Sequence, residues 1–177
     1  MAEKFIGIKQ IFYGPVMDSA PESFAGVMAL VRPASGTSTF KEVKNVHQDT
    51  WGYEQSEPGF DDYVNELTGT NYYREMIERG AKTISFTMGE YDFQTKADLQ
   101  GGTATETGWS APDTLEEIRK SVVAITRTGN MIVFTNASIT GRVDTQMKAL
   151  GLGVAATAME NGNAGVKDEY WFRPVSA

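Results

Sequence analysis

The 177-residue chain has no cysteine and a single histidine, His47. Without thiols it can form no disulfide, no thiolate metal centre and no cysteine nucleophile. One imidazole excludes a His-rich zinc site and a two-histidine relay. Long apolar runs are missing too. The longest weakly polar stretch, Ala149 to Met159, is rich in glycine and falls short of the about 18 residues that argue for a membrane span. Met1 to Ile8 contains no apolar core of signal-peptide length, so the expectation is a protein made and used without secretion through a signal. Without such a signal, the glycosylation sequon Asn136-Ala-Ser138 carries no weight. Basic charge is scarce. Sixteen Lys and Arg stand against 23 Asp and Glu, a net charge of −7, which makes phosphate neutralisation a poor basis for binding nucleic acid.

What is present is ordinary for a globular domain, with 41% hydrophobic and 22% charged residues. The length corresponds to roughly one domain, taken as residues 1–177. A chain of this size buries about 70% of its unfolded surface, so it needs no covalent or metal staple.

The dominant sequence period is two. Residues 4–13 alternate and stop at Gly14-Pro15, which predicts a strand. Further strands are predicted over Gly26 to Arg32, Phe40 to Val46 and Thr83 to Met88. The last is the cleanest, with Ile84, Phe86 and Met88 on one face and Thr and Ser on the other. Lys120 to Thr126 and Met131 to Ile139 flank Arg127-Thr-Gly-Asn130, a hairpin signal. Ala149 to Met159 and Tyr170-Trp-Phe172 complete a count of about eight strands. The fold class read from this is mainly β, a β-sandwich or β-barrel with one flanking short helix. That helix is predicted over Asn71 to Arg79, which begins with a capping residue, ends at Gly80 and carries a Tyr72/Tyr73, Met76, Ile77 stripe. One helical turn is expected over Thr95 to Gln100 and a first turn over Asp113 to Arg119.

Charge is distributed unevenly. From Asn45 to Tyr73 there is no Lys or Arg, and Asp49, Glu54, Glu57, Asp61, Asp62 and Glu66 account for −6 of the net −7. The same stretch holds Trp51, Tyr53, Phe60, Tyr63, Tyr72 and Tyr73. Acids and aromatics broken by Gly52, Pro58 and Gly59 describe a long excursion from the sheet. Such loops are functional or disordered, and the aromatic content argues against pure disorder. The segment either packs on a neighbouring subunit or folds its aromatics back onto its own core.

Motifs for catalysis are weak. Gly151-Leu-Gly-Val-Ala-Ala156 matches a dinucleotide fingerprint in letters, but its context is strand and hairpin rather than βαβ. Gly101 to Gly108 is glycine-rich, yet no Lys follows as a phosphate loop requires. The acid pairs Asp61-Asp62, Glu116-Glu117 and Asp168-Glu169 read as solvated, since neighbours on a strand point to opposite faces. His47 lies at the edge of the acidic stretch and reads as a surface residue. No catalytic residue, cofactor or metal is expected.

Thr83-Ile-Ser-Phe-Thr-Met-Gly-Glu-Tyr91, Phe93-Gln-Thr-Lys-Ala-Asp-Leu-Gln-Gly-Gly102, the run from Val122 to Asn136, the small-residue strand Leu152 to Met159 and Glu169-Tyr-Trp-Phe172 carry a family likeness. Over residues 83–172 the chain resembles the tail tube (major tail) proteins of long-tailed bacteriophages, which are related to the inner tubes of contractile injection systems. The resemblance implies a structural virion protein with no enzymatic activity. Six copies would form a ring, and rings would stack into a hollow tube through which the genome passes without specific binding. It implies residence in the virion tail after assembly in the host bacterial cytoplasm, with no membrane anchor. The partners would be the protein itself and other tail proteins such as terminator, baseplate or tape-measure proteins. Residues 45–66 become the inter-ring loop, with Trp51, Tyr53, Phe60 and Tyr63 at subunit contacts. Asp49, Glu54, Glu57, Asp61, Asp62 and Glu66 would lie in that loop or line an acidic lumen that repels DNA. A second reading, a monomeric β-sandwich binding module for carbohydrate or a similar ligand, would use Trp51, Tyr53 and Tyr63 as a stacking surface.

Overall fold

The computed structural model describes residues 2–175. In chain order the elements are β1 (Gln10–Gly14), α1 (Phe24–Val31), β2 (Lys41–Val43), β3 (Gly52–Gln55), β4 (Gly59–Asn65), β5 (Thr70–Glu78) and β6 (Lys82–Met88). There follow α2 (Phe93–Gln100), β7 (Thr103–Ala104), β8 (Trp109–Ser110), β9 (Ile118–Ile125), β10 (Met131–Gln146), β11 (Ala149–Ala158) and β12 (Glu169–Phe172). The fold is mainly β, 44% strand against 9% helix. The described residues form twelve strands rather than about eight, and two short helices rather than one.

Eight strands make one antiparallel sheet in the order β2-β1-β9-β10-β11-β6-β3, with β12 paired to the first part of β10. Strands β9 and β10 are apolar on both faces, and that pattern sets the layering. Val122, Ala124, Ile132 and Phe134 point to an interior shared with Ile11, Ile84, Phe86, Leu152 and Val154. Val123, Ile125, Met131 and Val133 point the other way, onto Phe12, Val27 and Val31. Full burial of each such side chain contributes about 1.5–3 kcal/mol. The sheet curls around the interior in the manner of a sandwich or barrel. Tyr53 on the last strand lies 6.1 Å from Phe134, three strands away. The connection after β2 closes on β6, where the His47 amide donates to the Thr87 carbonyl at 2.7 Å and Gly89 to the Asn45 side chain at 2.9 Å. Helix α2 caps the interior with Leu99. Asp98 accepts there from Lys41 at 2.9 Å and Tyr13 at 3.1 Å. Burial pushes the Asp98 carboxyl up, but hydrogen bonds from Lys41 and Gln94 outweigh it and hold the group below the ordinary value.

Several predicted elements differ. Residues 26–32 are not a strand but the greater part of α1. Ser23 caps that helix by accepting from the Gly26 amide at 3.1 Å, and Phe24, Val27, Met28 and Val31 follow helical spacing onto the outer sheet face. Residues 71–79 are not a helix but β5, paired with β4. No helical turn forms over 113–119. Glu117 instead accepts from Ser138 at 2.9 Å and pairs with Arg119, drawing the chain into the β9–β10 ladder. Residues 4–9 form an arm ahead of β1 rather than strand, and β2 is only three residues long. Conversely, β10 runs seven residues beyond the predicted end at Ile139, bending at a bulge between Phe134 and Ala137. The predicted strands at 83–88, 120–126, 149–159 and 170–172 lie where expected, within one or two residues.

Phe134 is fully buried. Phe134→Ala is therefore expected to destabilise the protein by about 3–5 kcal/mol in denaturant unfolding. Ile77→Ala, at a position 58% exposed, should leave stability within about 0.5 kcal/mol of the parent.

Candidate interaction site

The segment from Gly59 to Glu78 leaves the sheet as a two-stranded hairpin. All of β5 is exposed, and only the end residues of β4 are partly covered. Its base is a crossing of two chains. The Ser56 amide donates to the Ala81 carbonyl at 2.8 Å, and Gly80 sits so close to the Ser56 carbonyl that a Cβ would come within 1.7 Å of it. Only glycine fits at that crossing. The tip is a turn organised by Asn65. Its side chain accepts from the Leu67 amide at 3.0 Å, and its carbonyl accepts from Gly69 at 2.7 Å. Gly69 takes the left-handed conformation, φ 69°, that brings the chain back.

Cross-strand pairs hold the hairpin. Tyr63 faces Tyr73 with ring centroids 5.5 Å apart. Asp62 accepts from Arg74 Nε at 2.6 Å and from its NH2 group at 3.1 Å, and the same guanidinium lies 4.6 Å over the Phe60 ring. The hydrogen bond from Arg74 holds the Asp62 carboxyl below its ordinary value, and Asp62 in turn raises Arg74. Phe60, Tyr63, Tyr73, Met76 and Ile77 nevertheless remain 41–58% exposed, and Tyr72 is 71% exposed. An isolated two-stranded hairpin is marginal in water, and this one carries exposed apolar side chains on both faces, Phe60 and Met76 on one and Tyr63 and Tyr73 on the other; uncovered surface of this kind marks an interaction site.

The predicted site residues divide between two places. Phe60, Tyr63, Asp61, Asp62 and Glu66 belong to the hairpin, with Glu57 in the connection leading to it. Trp51 and Tyr53 instead pack against the interior. Tyr53 stands beside Trp171 at 5.6 Å and donates to Glu169 at 2.6 Å; burial, and then that carboxylate, push its phenol well above the ordinary value. Glu54 lies on β3, paired with Thr83. Asp49 takes a left-handed turn conformation and borders an open groove with Thr50, Thr87, Arg142 and Asp144.

The acids Asp168 and Glu169 are not simply solvated. Both bind Lys82, at 3.0 and 2.9 Å, and fasten β6 to the start of β12. Asp61 and Asp62 do project to opposite faces of β4, opposite Glu75 and Arg74. The glycine-rich residues 101–108 hold β7 and the turn that leads to its partner β8, and the Gly151–Ala156 fingerprint lies inside β11, between β10 and β6. Among the described residues no helix is long and apolar enough to cross a membrane.

Sequence reasoning missed Tyr72, Tyr73, Arg74, Met76 and Ile77 as strand residues. The signals that could have found them are the Asn65 to Gly69 turn and the opposite charges of Asp62 and Arg74 on either side of it, brought opposite each other by a bulge between Tyr63 and Val64.

The Asp62 carboxyl, lowered by Arg74, lends its pairing to the hairpin at neutral pH and loses it as pH falls through that lowered value. A carboxyl-carbon NMR titration should therefore place the Asp62 midpoint below the ordinary 3.8, and Arg74→Ala should return it toward that value. No known family model matches the chain, and no curated protein matches it in sequence.

Proposed function

We propose that the protein is a structural virion subunit that assembles with copies of itself into hexameric rings stacked as a hollow tail tube. The observation that carries this reading is the β4–β5 hairpin. It displays aromatic and aliphatic side chains on a ribbon that the chain does not cover. A fold that already buries a complete interior has no folding reason to hold such a ribbon in water, whereas a subunit that completes its packing on a neighbour does. The outer strands of the main sheet, β2 and β3, have three and four residues, so side-by-side growth into open sheets is disfavoured. A net charge of −7 suits a channel that must pass DNA without holding it. Ring size and stacking follow from the resemblance to tail tube proteins, which also supplies the virion tail as location and the other tail proteins as partners.

The monomeric binding module is less well supported by the geometry. Its stacking surface needs Trp51, Tyr53 and Tyr63 together, but Trp51 and Tyr53 pack inward while Tyr63 stands on the hairpin.

The purified protein should form high-order rings or tubes with a central channel in negative-stain images. Deleting residues 58–79, whose flanks already meet at Ser56 and Ala81, should give a folded single-copy protein by mass. Wild-type protein that stays a single copy at every concentration would overturn the proposal, as would tubes that persist without the hairpin.

A further inference from the structure

The hairpin's charge indicates what receives it. Between Gly59 and Glu78 five acids, Asp61, Asp62, Glu66, Glu75 and Glu78, stand against Arg74 alone. The receiving surface should therefore be basic, and it should offer exposed rings or aliphatic groups to pair with the hairpin's own.

One surface of the molecule meets both conditions. The arm at residues 4–9 runs beside the turn between β9 and β10. The Asn130 side chain donates to the Lys4 carbonyl at 2.6 Å, and the Thr128 hydroxyl donates to the same oxygen. Arg127 donates its amide to the Ile6 carbonyl at 3.1 Å, and Lys9 to the Ile125 carbonyl at 2.7 Å. Phe5 stacks edge-on against Trp171 of β12, with centroids 4.6 Å apart. Next to β12, Arg173 reaches Glu3 at 3.1 Å. The arm, the turn and β12 thus form one continuous face. It carries Lys4, Lys9, Arg127 and Arg173 against Glu3, all exposed. Its apolar part consists of Phe5, Ile6 and Trp171, 36%, 59% and 45% exposed. The nearby Asp168 and Glu169 share Lys82, so together they leave a single negative charge, and the face keeps its positive excess.

We infer that the acidic, aromatic hairpin of one copy docks on this basic, aromatic face of the next copy. The inference rests on the self-assembly reading above and names its contact. Two different surfaces meet, so the contact is heterologous wherever two copies do not exchange hairpins reciprocally. Repetition then closes a ring or extends a stack rather than stopping at a dimer. The hairpin strands, at about 3.3 Å per residue, are long enough to carry the aromatic residues well clear of their own subunit. Because the charges lie at a partly solvated surface, they set partner choice and register, and added salt weakens them.

The absence of native cysteine permits a direct test. Two single variants, Ile77→Cys on the hairpin and Ile6→Cys on the arm, are mixed in assembly conditions and oxidised. A mixed disulfide dimer is expected, and it should fall several-fold in high salt. As a control, Met147→Cys in the exposed turn between β10 and β11 (Met147 is 88% exposed) should not cross-link to Ile77→Cys. In a second arm, Lys9→Glu with Arg127→Glu should raise the concentration needed for assembly by about tenfold, and adding Asp61→Lys with Glu75→Lys should recover it. Tubes in which Ile77→Cys cross-links to Met147→Cys instead, or assembly that ignores the charge reversal, would overturn this contact while leaving self-assembly intact. A wild-type protein that never assembles removes the reading beneath it.

Discussion

The structure depends on the β9–β10 pair being apolar on both faces. A strand buried on one side needs only one covering layer, but these two need two. On the inner side the sheet itself curls over them and fills the space with Ile84, Phe86, Leu152 and Val154. On the outer side α1 lies across them and seals Val123, Ile125, Met131 and Val133. Everything else is placed relative to that double burial. The bulge after Phe134 lets β10 change neighbours, giving residues 131–134 to β12 and residues 137–146 to β11.

Against that satisfied body, the β4–β5 hairpin stands out. Its backbone is paired, its tip is turned by Asn65 and Gly69, and its one internal ion pair is in place. Its side chains, however, have no covering layer. Structural economy explains the rest of the molecule without reference to any partner, and it does not explain this ribbon. The functional reading therefore rests on surface that remains exposed, in contrast to enzymes, where it would rest on a cleft with displaced titrations. The groups held far from their ordinary values here are accounted for by structure: burial and then Glu169 raise the Tyr53 phenol, and burial, aided by Asp98, raises that of Tyr13.

Much of the sheet was legible in the residues. Thr83 to Met88, the hairpin around Arg127 to Asn130, and the small-residue strand β11 follow the period-two rule, because each is covered by sheet neighbours whose demands are local and repetitive. The misreadings share one cause. Gly26 to Arg32 is a continuous apolar run, and such a run suits a buried strand or a buried helix equally; Ser23 and the spacing of Val27 and Val31 decide it. Asn71 to Arg79 has a helical cap and stripe, yet its cross-strand partners Tyr63 and Asp62 lie ten and twelve residues away, outside any local window. Of the candidate site, the acidic and aromatic composition was visible, but composition could not separate Trp51 and Tyr53, which turn inward, from Phe60 and Tyr63, which do not.

The sequence by itself determined a cysteine-free, acidic, mainly β chain whose excess charge and aromatic rings are concentrated in one excursion. Those properties are local or additive, so they survive without coordinates. Only the tertiary structure decided that the excursion is a paired hairpin, that it stands clear of its own body, and that Phe5, Arg127 and Trp171, remote in the chain, share one basic face. Exposure and juxtaposition depend on how distant segments fold over one another, and no stretch of neighbouring residues encodes them alone.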